Sequence, residues 1–370
     1  MELSGGSMES LEINNLFRSI YQGKRILITG NTGFKGSWLS HWLHRMGGNV
    51  FGYSLNIPTT PSHFELLNDP YPTVFGDILD TDKLTRSIAE IKPEIIFHLA
   101  AQSLVRESYA NPILTFQTNC IGTLNVLQAS NACASVRAFV NVTTDKVYAY
   151  KQTEDGYIEE DPLGGFDPYS ASKACVEIIT DSFRKSFITE TGYLLASVRA
   201  GNVIGGGDWA KDRLIPDLVK STVLKKETII RYPDSTRPWQ HVLEPLSGYL
   251  LLGQQLLEGK KKNCRPWNFG PLLSDCRTVR EVLDLAKHTW NEIVWLQDTD
   301  VNPYESPALL LNSRRANSEL SWNSIWDLPT AIHSTISWYR SYYSSNQVQT
   351  DKDLDAFISA AKAKKSIWCT

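Results

Sequence analysis

Tyr169 and Lys173 stand four residues apart in Tyr169-Ser170-Ala171-Ser172-Lys173, a spacing that puts both on one face of a helix. A phenol with a reference pKa near ~10 is a poor base at neutral pH, and an ammonium beside it favours the phenolate. Such a pair can take the proton from a hydroxyl while a hydride leaves the same carbon. Upstream, Thr144-Asp145-Lys146 follows an apolar run and offers a hydrogen bonder, an acid and a possible base in consecutive positions. A lysine serves as base only if burial or a neighbouring cation depresses its pKa.

Oxidation needs a hydride acceptor, and Gly30-Asn31-Thr32-Gly33-Phe34-Lys35-Gly36 has the composition to hold one. It lies between an apolar run and an amphipathic stretch. There, a glycine-rich turn brings backbone close to a pyrophosphate and aims a helix N-terminus at it. The spacing is GxxGxxG. An acid ordinarily ends the second strand of such a site and holds the ribose, but here that strand ends in Gly52-Tyr53-Ser54-Leu55. Ser54 is the hydroxyl available in its place, and Lys35 would suit a 2′-phosphate, so these residues leave NAD and NADP open. Asp77, after the third strand, is either an adenine acceptor or a neighbour of a helix cap. His98 reads as a structural histidine.

For an anionic substrate the candidates are Arg213, Arg231 and Arg237, since guanidinium pairs bidentately with phosphate, and Arg237 leads them. The whole chain, 370 residues with a net charge of −3, lacks the basic footprint of a general nucleic-acid binder. The six cysteines have no CxxC spacing, which argues against structural zinc or a disulfide framework, leaves no metal site to assign, and suits a reducing cytoplasm. No apolar run approaches the ~20 residues of a spanning helix.

These groups need a scaffold. Apolar, β-branched runs at 24–30, 49–53, 73–75, 94–99, 138–142 and 193–199 are mostly separated by helix-like segments at 34–46, 81–91, 112–132 and 169–191. The alternation predicts an α/β fold, a Rossmann-like doubly wound parallel sheet with both faces covered. Residues 23–204 should form that domain. The loss of alternation after Gly205-Gly206-Gly207-Asp208 places a smaller substrate-binding lobe at 205–350. Residues 1–22 read as a leader, and 351–370, Lys- and Ala-rich, as a surface helix with a frayed tail.

Together these motifs resemble the extended short-chain dehydrogenase/reductase family, from about Gly23 to about Gly270. The resemblance rests on Gly30 to Gly36, His98-Leu99-Ala100-Ala101-Gln102, Asn119 with Gly122-Thr123, the strand-end threonine, and Tyr169 with Lys173. Thr143 to Tyr148 looks like the motif of its nucleotide-sugar 4,6-dehydratases. Asp145-Lys146, in place of the commoner Asp-Glu, resembles the branch acting on CDP-glucose, as do 52–65 and Arg237-Pro238-Trp239-Gln240-His241-Val242.

The resemblance implies NAD as cofactor, lined by Gly30, Thr32, Gly33, Phe34, Lys35, Gly36, Ser54, Asp77, Ile78, Leu99, Ala100, Ala101, Tyr169 and Lys173. It implies Gln102, Arg106 and Asn202 beside the three arginines at the substrate. It further implies Tyr169 and Thr144 at the 4-hydroxyl, Lys146 as C5 base, Asp145 as acid to the 6-hydroxyl, and a homodimer or dimer of dimers through the 110–132 and 169–191 helices. Two alternatives are weighed beside it. A 4-epimerase needs no acid or base for water loss, which Asp145-Lys146 oppose. A non-catalytic dinucleotide sensor would have lost the intact Tyr169/Lys173 pair.

Overall fold

A computed structural model describes residues 13–69, 71–188, 192–300 and 309–369. Six parallel strands form where the apolar runs predict them: β1 (Arg25–Thr29), β2 (Asn49–Ser54), β3 (Thr73–Phe75), β4 (Ile95–His98), β5 (Ala138–Val142) and β6 (Leu194–Ala200). A seventh, β7 (Pro266–Phe269), joins from far along the chain, giving the order β7-β6-β5-β4-β1-β2-β3 with every pairing parallel. β4 and β5 are buried at every residue, as a sheet covered on both faces demands. The order reverses between β1 and β4, where Thr29 pairs with His98. A ligand crevice opens at such a reversal, beyond the strands' C-terminal ends.

The connecting helices are α1 (Phe34–Arg45), α2 (Thr81–Ile91), α3 (Gly122–Asn131) and α4 (Pro168–Ser186). α3 is preceded by Pro112–Phe116 and a single π turn, Gln117–Ile121. The end of the helix expected over 169–191 includes 189–191, which lie outside the described residues.

Further along come α5 (Leu214–Val223), α6 (Leu243–Leu257), α7 (Val279–Thr289), α8 (Leu328–Ser345) and α9 (Thr350–Ala363). The second lobe has its own core, built by Leu218 of α5, Val282 and Leu283 of α7, and Ile336 and Trp338 of α8. The lobe expected at 205–350, with the chain free to cross back, is interrupted by such a crossing. α6 and β7 belong to the sheet instead, because α6 carries Leu246, Tyr249, Leu250 and Leu252 into the main core and β7 pairs with β6.

Both expected tails need correction. Residues 1–12 of the leader lie outside the described residues, but Ile13, Leu16, Phe17 and Tyr21 are buried in the main core. At the other end, Leu354, Phe357, Ile358, Ala361 and Trp368 enter the same core, and Trp368 stacks on Phe17 with ring centroids 5.3 Å apart. A large apolar side chain gains ~1.5–3 kcal/mol on full burial, so several of them outweigh fraying. Among the described residues, no helix is long and apolar enough to cross a membrane.

Candidate active site

The glycine loop follows β1 directly. Gly30 has φ +76°, and a Cβ there would come within 2.8 Å of the Ala100 nitrogen at the end of β4. A Cβ on Gly36 would meet the Gly30 carbonyl oxygen at 2.1 Å, so the start of α1 lies against the turn. Gly33 is the N-cap of α1 and supplies no capping side chain. The first-turn amides, at Phe34 and Lys35, therefore face the crevice uncapped, a donor set that fits a pyrophosphate. Leu99, Ala100 and Ala101 form the opposite, half-buried wall.

Asn31, wholly buried, braces the loop: its Nδ2 donates to Thr73 Oγ1 (2.8 Å) and its Oδ1 accepts from Ser54 Oγ (2.8 Å). The Ser54 hydroxyl also accepts from the Thr32 amide at 3.3 Å, while Thr32 Oγ1 donates to the Asn56 carbonyl at 2.7 Å. Ser54 is thus engaged inside the loop, against its expected place at the ribose. Asp77 is half-buried, accepts from the Leu79 amide at 2.9 Å and shapes the turn that carries Ile78; Asp80, not Asp77, caps α2.

Asp167 caps α4 by accepting from the Ser170 amide at 2.9 Å, with Pro168 at the first helical position. This start sets Tyr169 and Lys173, both buried, against the end of β5, where Lys173 Nζ donates to the Val142 carbonyl at 3.2 Å. From the other side, Asn119 in the π turn donates to Ser172 Oγ (2.8 Å) and the Gln102 carbonyl (3.0 Å). The expected pair is therefore one unit. Burial brings Lys173 down to about 8, opposed by Glu177 one turn further along α4. Burial raises Tyr169 to about 12, against a hydrogen bond with Thr144 and the charge of Arg213. Arg213 is a cation that lowers the phenol in this geometry.

Thr144 Oγ1 also donates to Asp145 Oδ1 at 3.1 Å. Asp145 is 2% exposed and its Oδ2 has no hydrogen-bond partner among the described residues. Burial raises its pKa, and the cations opposing that rise are Lys146, Lys35 and Arg237. A buried carboxyl with a free oxygen is poised to be protonated and to donate. Lys146 is half-buried beside it, with its amide 3.4 Å from Thr144 Oγ1.

Lys35 departs from expectation. Its Nζ lies 3.5 Å from Tyr249 Oη on α6 and 5.7 Å from the ring centroid, within electrostatic reach of Asp145.

The substrate candidates divide. Arg213 pairs with Asp208 at 2.8 Å and reaches Ser103 Oγ at 3.4 Å while facing Tyr169. Arg237 is buried, donates to the Thr236 carbonyl at 2.9 Å and acts on Asp145. Asn202 and Arg231 are half-buried; the Asn202 carbonyl accepts from the Gln240 amide at 3.0 Å, and Arg231 acts electrostatically on Asp217. Gln102 and Arg106 both have protein partners in this structure. The Gln102 amide is committed to its own loop, donating to Leu104 O and Thr115 Oγ1, both at 3.0 Å, and Arg106 forms an exposed pair with Asp212 at 2.8 Å. His98 is structural, held between Thr29 (2.6 Å) and Thr123 (3.0 Å), and burial lowers it to about 3.

Sequence reasoning missed two groups. Tyr249 sits in an apolar helix without any motif. Glu177 carried a signal, the same four-residue step that pairs Tyr169 with Lys173.

Comparison with known proteins agrees with this geometry. The GDP-mannose 4,6 dehydratase family matches residues 27–335. The chain is 46% identical over 353 residues to the CDP-glucose 4,6-dehydratase of Salmonella typhimurium, covering 93% of this chain and 98% of that one. It is 26% identical to the UDP-glucose 4-epimerase of Mycoplasma genitalium, over 86% of this chain and 97% of the relative. In fold, it resembles the dTDP-glucose 4,6-dehydratase of Streptomyces venezuelae solved with NAD and TYD bound (TM-score 0.73, 22% identity, 85% of this chain and 97% of that one). The Thermus thermophilus UDP-glucose 4-epimerase in complex with NAD is as similar (TM-score 0.75, 22% identity, 85% and 98%). With a family match over most of its length and a relative 46% identical along 93% of it, the chain belongs to the GDP-mannose 4,6 dehydratase family, within the extended short-chain dehydrogenases/reductases.

Proposed function

We propose that this protein is a CDP-glucose 4,6-dehydratase, an NAD-dependent lyase that converts CDP-D-glucose to CDP-4-keto-6-deoxy-D-glucose. The observation that carries the reading is Asp145. A buried carboxyl whose Oδ2 has no partner among the described residues, hydrogen-bonded to the same Thr144 that contacts Tyr169, supports an elimination acid beside a redox pair. An epimerase has no use for it. The choice of cytosine is supported by the 46% identical relative.

Each residue has a task. The uncapped amides of α1 hold the pyrophosphate of NAD, and Arg213, Arg231, Arg237 and Asn202 face the sugar nucleotide. Tyr169 takes the proton of the 4-hydroxyl while Thr144 hydrogen-bonds that oxygen, and Lys173, anchored on Val142, keeps the phenol in place. NAD held on the first-turn amides of α1 would supply the hydride acceptor for C4 and, after reduction, the hydride donor for C6. The 4-ketone acidifies the C5 hydrogen, which Lys146 removes. Asp145 gives its proton to the departing 6-hydroxyl, so water leaves and the C5–C6 double bond forms. Lys146 then returns its proton to C5.

The hydride stays on one sugar throughout. CDP-glucose deuterated at C4 will give a 4-keto product carrying deuterium at C6, without crossover when mixed with unlabelled substrate, and NAD will be needed only catalytically. Mass spectrometry and NMR of the product read this out. Deuterium retained at C4 of an epimer would make the protein an epimerase, and stoichiometric NADH release a simple dehydrogenase.

A homodimer completes the reading. Ile113 (74% exposed), Tyr109 (53%) and Ile121 (49%) lie before α3, and Ile178 (58%) lies on α4. Apolar side chains exposed together mark an interaction surface. Ile113→Asp with Ile178→Asp will shift the protein to monomer in sedimentation. An unchanged assembly would place the interface elsewhere. The six unpaired cysteines are in keeping with a cytoplasmic location.

A further inference from the structure

Arg199, buried near the end of β6, is the hub of a polar network that the steps above leave unused. Its Nε and Nη2 each donate to one oxygen of Glu177 on α4 at 3.0 Å, and its Nη1 donates to Tyr148 Oη at 2.9 Å. Those two partners bracket the turn that carries Asp145 and Lys146. On the near side, the Thr143 hydroxyl donates to Glu177 Oε1, one residue before Thr144. On the far side, Tyr148 Oη donates to Asn268 Oδ1 on β7 at 2.6 Å. The Tyr148 ring stacks on Tyr157, with centroids 4.8 Å apart, and carries the Arg199 guanidinium 4.9 Å from its centroid.

The same network holds the segment that pairs with the exit of the turn. Asn268 donates from Nδ2 to the Tyr157 carbonyl and from its amide to Glu159 Oε1, both at 2.9 Å. A few residues on, the Gly164 amide donates to the Val147 carbonyl and the Ala149 amide to the Pro162 carbonyl, both at 2.8 Å. The redox pair is held by other contacts: the Asp167 cap, the Asn119 bond to Ser172 and the Val142 carbonyl. Redox pair and elimination pair therefore have separate anchors.

We infer that Tyr148 is a positioning residue for the elimination half-reaction, its hydroxyl fixing where the turn bearing Asp145 and Lys146 stands against the sugar. The inference rests on the dehydratase reading above, which gives those two residues the acid and base roles. Proton transfer needs heavy atoms within hydrogen-bond reach, so a small displacement of the turn costs far more in rate than in binding. Without the hydroxyl, Asn268 Oδ1 loses this donor and Arg199 Nη1 this acceptor in a buried site, and the turn relaxes. Tyr169 and Lys173 keep their anchors, so oxidation at C4 continues.

The test is Tyr148→Phe in the full-length enzyme with CDP-glucose and NAD, beside Tyr157→Phe as a control. Phenylalanine at 148 keeps the stack on Tyr157 and the ring beneath Arg199. Single-turnover NADH formation and KM should stay within about threefold of wild type, while release of the 4-keto-6-deoxy product falls about 10–100-fold. Enzyme-bound NADH, read by absorbance, should then rise in the steady state toward one equivalent per site. Tyr157→Phe removes a neighbouring hydroxyl of the same stack, one bonded to the Lys151 backbone instead of to Arg199. It should leave bound NADH at the wild-type level.

Arg199→Lys serves if Tyr148→Phe fails to fold. It keeps a cation for Glu177, but a compact ammonium lacks the fork that reaches both Glu177 and Tyr148, so NADH should accumulate here too. Equal slowing of oxidation and elimination in either variant would overturn the inference, as would normal elimination in Tyr148→Phe. So would NADH accumulation in Tyr157→Phe as large as in Tyr148→Phe, since loosened packing would then account for both. A wild-type enzyme that forms no 4-keto-6-deoxy sugar from CDP-glucose would instead sink the dehydratase reading.

Discussion

Tyr169→Phe will lower turnover of CDP-glucose by about 10²–10⁴-fold, the range of a positioned proton-transfer group, and leave substrate affinity within about threefold. Phenylalanine fills the same buried space, so the loss reports the hydroxyl and not the packing. The size of the loss follows from the environment of that hydroxyl. Burial pushes Tyr169 to about 12, and a base so rarely ionised works only where its conjugate acid is destabilised at the moment of transfer. Thr144 and Arg213 provide part of that, and a cationic nicotinamide adds to it. The wild-type rate should therefore rise with pH as the phenolate fraction grows, while Tyr169→Phe stays low and flat. Single-turnover formation of NADH, followed by absorbance, isolates this step from elimination. A variant that oxidises C4 at near-normal rate would remove Tyr169 from the mechanism.

The sheet, the glycine loop and the Tyr169/Lys173 pair were legible because each is a local pattern. Apolar strand runs, a turn rich in glycine and a four-residue helical step all express forces acting within a dozen residues. Other features depend on partners far away in the chain. Lys35 meets Tyr249 across 214 positions, and nothing near Lys35 tells whether it points to the ribose or to the redox centre. Ser54 was a candidate because it ends a strand and Gln102 because the resemblance implies it, and bonds to distant loops hold both: Ser54 to Asn31, Gln102 to Thr115. The C-terminal helix is a different case. Leu354, Phe357, Ile358 and Ala361 fall at i, i+3, i+4 and i+7, a buried stripe that its Lys- and Ala-rich composition concealed. Lys146 stays between the two, adjacent to the acid by sequence but with its role set by a substrate.

Asp145→Asn will separate the two halves of the reaction. The amide keeps the size of the side chain and can still accept from Thr144, so Tyr169 keeps its hydrogen-bonding partner and C4 oxidation proceeds. It has no carboxylic proton to give, and the 6-hydroxyl is then a poor leaving group. Turnover to the 4-keto-6-deoxy product should fall by about 10²–10⁴-fold, with NADH accumulating on the enzyme toward one equivalent per site. Lys146→Met makes the complementary measurement. If Lys146 is the C5 base, that variant will also accumulate NADH, but exchange of solvent deuterium into C5 will be lost. In Asp145→Asn the exchange will persist, because Lys146 can still remove and return the proton while water cannot leave. Exchange retained in Lys146→Met would assign the lysine to balancing the charge of Asp145, the largest opposing charge that this buried carboxyl feels. Normal elimination in Asp145→Asn would be more serious, since the dehydratase reading rests on that carboxyl.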